Sequence, residues 1–119
     1  EKIELVRSNA LMPEMYGSKR YENLFVCWGS VLPAALEALE QMGRKFGLAH
    51  FTQVFPINPK AKELLDRAKQ IIIIENNQSA QFSRLLEQEL SIQIDYTIRK
   101  FNGLQFSVAE IVSAIQEVL

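Results

Sequence analysis

Two short stretches of this sequence carry side chains that could do chemistry. The first is Glu75-Asn76-Asn77-Gln78, with Gln81 just beyond it. A carboxylate and a run of carboxamides can bond both donors and acceptors of a docked ligand or a partner backbone, and they cost free energy if buried without such partners. They must therefore be solvated, bonded among themselves in capping the following helix, or bonded to something docked there. The second stretch is Cys27-Trp28-Gly29-Ser30. A nucleophilic thiol on a phosphate-cradling loop is one reading of it, and an anion held at the helix N-terminus behind Gly29 and Ser30 is another. A cysteine phosphatase loop needs an arginine about six residues beyond the thiol. Pro33 stands there, so a buried, inert thiol is the expectation for Cys27.

Other chemistries fail on what is missing. A phospho-acceptor receiver needs an acidic pair after its first strand and an Asp ending its third to hold Mg²⁺. Here Cys27-Trp28-Gly29 ends the first and Glu75 stands at the later position, and Glu75 alone cannot do that work. His50 is the single histidine, with no second histidine or carboxylate at metal-ligand spacing, which makes it a satisfied polar residue at a strand end. Lys60, Lys62, Arg67 and Lys69 read as a solvated helix face more readily than as a phosphate site. The net charge of -1 comes from interspersed acids and bases, which leaves no electrostatic footprint for nucleic acid. The single cysteine excludes an internal disulfide and any multi-cysteine metal or iron–sulfur site made by this chain alone. No apolar run reads as a membrane span or a signal peptide, so a reducing, cytoplasmic setting is the expectation. At 119 residues the chain makes one domain that folds without staples, and Glu1 in place of an initiator Met suggests an excised segment of something longer.

The elements that must position these stretches follow from the apolar pattern. Ile71-Ile72-Ile73-Ile74 is four β-branched residues without alternation, the signature of a strand buried on both faces in a parallel sheet covered by helices. Leu24 to Trp28 reads as a second central strand, and Ser30 as the N-cap of a helix whose apolar face is Leu32, Ala35, Leu36, Leu39 and Met42. Phe46 to Phe51 supplies the next strand. Asn58 as N-cap and Pro59 at the first helical position then start a helix from Lys60 to Lys69. After the isoleucine strand, Ser79 can cap a helix with the stripe Phe82, Leu85, Leu86 and Leu90. Ile92 to Ile98 alternates as a half-exposed edge strand does, and Asn102-Gly103 makes a turn. Ser107-Val108-Ala109-Glu110 is a capping box, with Phe106 and Ile111 as its staple, and Ile111, Val112, Ile115, Val118 and Leu119 form the core face of the last helix. Residues 1 to 12 read as a linker helix and Met12 to Ser18 as a connection or short edge strand. Alternating strands and helices imply right-handed crossovers and a three-layer α/β/α sandwich. With the strands near 24, 46, 71 and 93 labelled a, b, c and d, the simplest order is b-a-c-d. Its switch point brings Gly29-Ser30 beside Glu75-Asn76-Asn77, at the strand ends where α/β sheets place ligands or partners.

Taken together, Val26-Cys27-Trp28-Gly29-Ser30, Leu36-Glu37-Ala38-Leu39, Phe55-Pro56, Ile73-Ile74-Glu75-Asn76-Asn77-Gln78-Ser79-Ala80-Gln81 and Lys100-Phe101-Asn102-Gly103-Leu104-Gln105-Phe106 resemble the C-terminal domain of the alpha subunit of 2-oxoacid:ferredoxin oxidoreductases. That domain is similar to the C-terminal domain of transketolase. The resemblance runs from about Tyr21 to the end; Ala80 stands where the family's pattern has Gly, which removes freedom for close backbone approach there. It implies a mostly parallel five-stranded sheet whose antiparallel edge strand falls within Pro13 to Arg20, with residues 1–20 leading in from an upstream domain and 21–119 forming the transketolase-like unit. It also implies oxidative decarboxylation of a 2-oxoacid with coenzyme A, passing electrons to ferredoxin through thiamine diphosphate, Mg²⁺ and iron–sulfur clusters. This segment holds no cluster-binding cysteine set, no thiamine-binding acidic motif and no general base. The expectation is a brace without catalytic residues, packed on thiamine-binding domains of the same chain and of the beta subunit through Gly29, Ser30, Glu75, Asn76, Asn77 and Gln81. The rival reading is a stand-alone α/β module binding a small anion, such as a nucleotide or coenzyme A, in the same crevice.

Overall fold

The computed structural model describes residues 11–43, 45–52, 57–75, 81–99 and 107–118. Five strands, β1 (Glu14–Gly17), β2 (Asn23–Trp28), β3 (Phe46–Phe51), β4 (Gln70–Glu75) and β5 (Tyr96–Arg99), form one sheet in the order β1-β3-β2-β4-β5. The last four are mutually parallel, in the order the doubly wound reading expects. β1 runs antiparallel to β3, pairing Glu14 with His50 and Gly17 with Gly47. It lies inside Pro13 to Arg20, where the resemblance put an edge strand.

Among the described residues four helices cover the sheet: α1 (Leu32–Glu40), α2 (Ala61–Asp66), α3 (Gln81–Leu90) and α4 (Val108–Val118). Strand side chains alternate between faces, so β2 sends Phe25 and Cys27 to one side and Leu24 and Val26 to the other. Phe25, Cys27, Leu48, Ile72 and Ile74 meet Ala35, Ala38 and Leu39 of α1 and Ile111 and Ile115 of α4. Leu24, Val26, Ala49, Ile71 and Ile73 meet Ala61 and Leu65 of α2 and Phe82, Leu86 and Leu90 of α3. The isoleucine run is therefore buried because each pair of its members fills a different core.

Local details depart from expectation in three places. Ser30 is not an N-cap: the chain turns at Gly29 (φ +67), passes through a 3₁₀ turn over Gly29–Val31, and only then starts α1, with Val31 at the N-cap and Pro33 in the first turn. Asn58 caps a preliminary turn in place of the helix itself, its Oδ1 accepting the Lys60 N–H at 3.0 Å and its carbonyl the Ala61 N–H at 3.0 Å. That turn shortens α2 to Ala61–Asp66 against the expected 60 to 69. Its basic face is solvated as expected, with Lys62 paired to Asp66 at 3.1 Å and Lys69 to Glu22 at 3.3 Å. Finally, the burial of Ile92, Ile94, Tyr96 and Ile98 alternates with exposed neighbours, but only Tyr96–Arg99 is strand. Asp95 explains the late start, because its carboxylate accepts the Ile71 N–H at 2.7 Å and its own N–H goes to the Ile71 carbonyl at 3.0 Å.

The capping box forms as its spacing predicts: the Ser107 N–H donates to Glu110 Oε1 at 2.9 Å and the Glu110 N–H to Ser107 Oγ at 3.1 Å. The linker helix up to residue 10, the Ser79 cap, the Asn102-Gly103 turn and the Phe106 staple lie outside the described residues.

Candidate functional site

The C-terminal ends of β2, β3 and β4 make one rim of the sheet. Val26 pairs with Ile73, and each strand runs two residues further, which brings Trp28 level with Glu75. Gly29 follows Trp28, so the expected meeting of the Gly29 turn with the end of the isoleucine strand is present. The two residues face different ways. Gly29 is exposed, whereas Glu75 has no solvent-accessible surface at all.

Glu75 turns inward onto α3. Its Oε1 accepts the Phe82 N–H at 2.6 Å and its Oε2 accepts the Ser83 hydroxyl at 3.3 Å. A helix N-terminus presents unpaired N–H groups and the positive end of the helix dipole, so a carboxylate seated there is doubly favoured. Glu75 therefore locks the first turn of α3 to the end of β4. Strand parity explains the direction, because Glu75 shares a face with Ile71 and Ile73, which already point at α3.

Of the other expected site residues, Ser30 lies within the 3₁₀ turn and Gln81 opens α3. Asn76 and Asn77 lie outside the described residues.

The rim holds one feature that the sequence reading does not single out as a site, Trp28, and one that it does, His50. Trp28 is 39% exposed, and its indole packs on Phe82 with ring centroids 6.0 Å apart. Phe82 in turn meets Phe51 edge-on at 5.6 Å, so the exposed indole stands on a rigid aromatic base. A lone Trp ending an apolar strand before Gly was the available signal. The second feature is His50, buried at the end of β3. Its Nε2 lies 3.1 Å from the Gly29 carbonyl and its Nδ1 3.2 Å from Glu14 Oε1. It is the satisfied polar residue expected at that strand end, here joining the edge strand to the Gly29 turn.

Cys27 points away from this rim into the α1/α4 core, with no exposed surface, and burial pushes its thiol up to about 12. The thiolate is the reactive form. Native protein is accordingly expected to resist iodoacetamide at about pH 8 and to be labelled fully once unfolded in urea, as mass spectrometry would record; rapid labelling of the folded chain would contradict this. Among the described residues no cluster of three or more His, Cys, Asp or Glu is placed to hold a metal, and no helix is long and apolar enough to cross a membrane.

A cleft of about 720 Å³ opens at the other end of the sheet, lined by Tyr16, Leu36, Leu39 and Phe46 with Glu40 at its edge. Its walls are mainly apolar and its location is the N-terminal end of β3, so it adds nothing to the strand-end rim.

No protein-family model matches the chain. It is 32% identical over 111 residues to the alpha subunit of 2-oxoacid:ferredoxin oxidoreductase 1 of Aeropyrum pernix and 29% identical over 109 residues to that of oxidoreductase 2 of the same organism. These matches take in 87% and 88% of this chain, which spans about 17% of the length of each relative. Among solved structures, the 2-oxoglutarate:ferredoxin oxidoreductase of Magnetococcus marinus, solved with 2-oxoglutarate, coenzyme A and succinyl-CoA bound, superposes with a TM-score of 0.83 at 22% identity, over 94% of this chain and 20% of that one. The alpha chain of a probable 2-oxoacid ferredoxin oxidoreductase from Thermoplasma acidophilum superposes with a TM-score of 0.59 at 26% identity, over 90% of this chain and 96% of that one.

Proposed function

We propose, on the premise that this chain is homologous to the alpha subunits of 2-oxoacid:ferredoxin oxidoreductases, that it is the C-terminal assembly domain of such a subunit. In this reading it braces the thiamine-binding domains of its own subunit and of the beta subunit and helps wall the substrate channel. The complete enzyme would convert a 2-oxoacid, coenzyme A and oxidised ferredoxin to an acyl-coenzyme A, carbon dioxide and reduced ferredoxin, in the cytoplasm. The observation that carries the reading is the exposed Trp28 beside exposed Gly29, mounted on Phe82 and Phe51 at the strand-end rim. Large aromatics held rigidly at a surface are characteristic anchors of protein interfaces.

The donor set does not suit an iron–sulfur cluster. An iron–sulfur cluster needs thiolates, and the single Cys27 is buried in an apolar core with its thiol pushed up to about 12. The cluster is therefore assigned to other parts of the enzyme, and thiamine diphosphate, Mg²⁺ and coenzyme A enter as cofactors of the complete enzyme. Glu75 acts at one remove: it fixes α3, and α3 supplies the Phe82 ring beneath Trp28.

The anion-binding alternative is weakened by the same carboxylate. Glu75 already accepts the Phe82 N–H at the start of α3, and its negative charge repels a phosphate at that terminus. The two readings part in solution. The isolated chain is expected to reduce no ferredoxin with any 2-oxoacid, with turnover appearing when the remainder of the alpha subunit and the thiamine-binding partner are added. Saturable micromolar binding of coenzyme A or a nucleotide by the chain alone, seen by titration calorimetry, would favour the alternative. Full turnover of an enzyme lacking this domain would remove the brace.

A further inference from the structure

Resting on the reading of this chain as the C-terminal domain of an alpha subunit, we infer that the Trp28 rim docks on the part of the same subunit that precedes it in sequence, through one apolar surface running from Leu11 and Met12 across to Trp28. Among the described residues the large apolar side chains left exposed are Leu11, Met12, Met15 and Trp28. Strand direction gathers Leu11, Met12 and Trp28 at one end of the sheet. β2, β3 and β4 run toward the rim and β1 runs against them, so β1 begins at the rim. Glu14, its first residue, pairs with His50, and Phe51, the next residue of β3, pairs with Trp28. The strand order thus brings Pro13 to the far side of Phe51 from Trp28, two strand spacings or about 10 Å away. Pro13 is buried, and Leu11 and Met12 stand immediately outside it, 63% and 39% exposed. His50 lies 3.2 Å from Glu14 Oε1 and 3.1 Å from the Gly29 carbonyl, so the mouth of β1 and the turn after Trp28 are joined through one ring.

The occupant follows from where the chain enters. A boundary between independently moving domains is polar or rich in Pro and Gly. Here Leu11 and Met12 lead into the fold, and with Trp28 they make an apolar surface rather than scattered exposed side chains. Whatever precedes Leu11 in the subunit leaves through this end of the sheet, a short reach from Trp28. A body tethered so closely sits at a millimolar effective concentration and is held by a modest apolar surface, whereas the separate beta subunit must hold the same surface by affinity alone. The chain spans about 17% of the length of its alpha-subunit relatives, so most of such a subunit lies outside it and is large enough to cover the rim. Met15 pairs with Ala49, further from the rim, and stays outside the surface.

Photo-crosslinking in the complete alpha–beta enzyme tests this. Met12→p-benzoylphenylalanine and Trp28→p-benzoylphenylalanine are irradiated separately and the linked peptides mapped by mass spectrometry. Both positions should link to the alpha-chain domain that precedes this one, and to the same part of it, while Met15→p-benzoylphenylalanine should link only at background. Limited proteolysis of the native enzyme gives a second readout. Met12→Asp should speed cleavage between this domain and the one before it by about tenfold, since losing about 1.4 kcal/mol of docking populates the opened junction tenfold more, and Met15→Asp should leave cleavage unchanged. Links from Trp28 into the beta subunit, no links from Trp28 at all, or links from Met12 and Trp28 into different partners would each overturn the inference and leave the brace reading in place. Full turnover of an enzyme lacking this domain would remove both.

Discussion

Replacing Glu75 by alanine is expected to lower the stability of the domain by about 3 kcal/mol or more, a large part of the margin that a domain of this size possesses. The carboxylate takes up the Phe82 N–H and the Ser83 hydroxyl in a place no water reaches. Alanine leaves both donors without that acceptor, at about 1–3 kcal/mol each, and adds a cavity at the junction of β4 and α3. Glu75→Gln should cost much less, about 1 kcal/mol, since its carbonyl can still accept from the Phe82 N–H and its shape is retained. Urea denaturation followed by far-UV circular dichroism separates the two variants by their midpoints. An alanine variant within about 0.5 kcal/mol of the parent would mean that α3 starts without help from Glu75. Because Phe82 lies under Trp28, the alanine variant should also broaden and red-shift tryptophan fluorescence in the folded state.

How much of this was legible beforehand depends on the kind of signal. The strands and their order came from runs such as Ile71 to Ile74, where burial on both faces leaves no polar alternation; all four isoleucines are buried, in a strand that runs one residue further at each end. β1 has four residues between Pro13 and Ser18, three of them exposed, so nothing in its own pattern marks it; only the resemblance of the whole chain implied it. The direction of Glu75 was recoverable and went unread. It is an even number of residues from Ile71 and Ile73, so the period of two that organises the strand also aims its carboxylate at α3. The same parity sends Trp28, two residues from Val26, over Phe82 and keeps Cys27, two residues from Phe25, in the opposite core. Asp95 and His50 are different. Their partners, Ile71, Glu14 and Gly29, lie far away in sequence and come together only once the strand order and register are set. The shift from Ser30 to a Gly29-led 3₁₀ turn belongs to the same class, since Gly29 accommodates the left-handed φ +67 that opens the turn and the helix cannot begin until the chain has cleared the rim.

Trp28→Ala is expected to do its damage between chains. In the isolated chain the indole is 39% exposed and its main ring contact is Phe82, so truncation should cost only about 1 kcal/mol of stability. In the assembly proposed above, the same change should weaken association of this domain with the remainder of the alpha subunit by roughly 30-fold or more, the mark of a buried aromatic anchor worth at least about 2 kcal/mol. Met15→Ala supplies the control. Met15 is 37% exposed, but it sits on the edge strand away from the rim, so its loss should leave association within about twofold of the parent. Surface plasmon resonance between the chain and the remainder of the subunit, with urea midpoints measured in parallel, keeps fold and interface effects apart. Should Trp28→Ala bind as tightly as the parent, or should Met15→Ala lose affinity instead, the docking surface would lie along the edge strand and the rim would be scaffold only. Glu75→Gln makes the test sharper: because it keeps an acceptor for the Phe82 N–H and so the seat of α3, it should weaken association only in proportion to unfolding, whereas Trp28→Ala should weaken it in chains that remain folded.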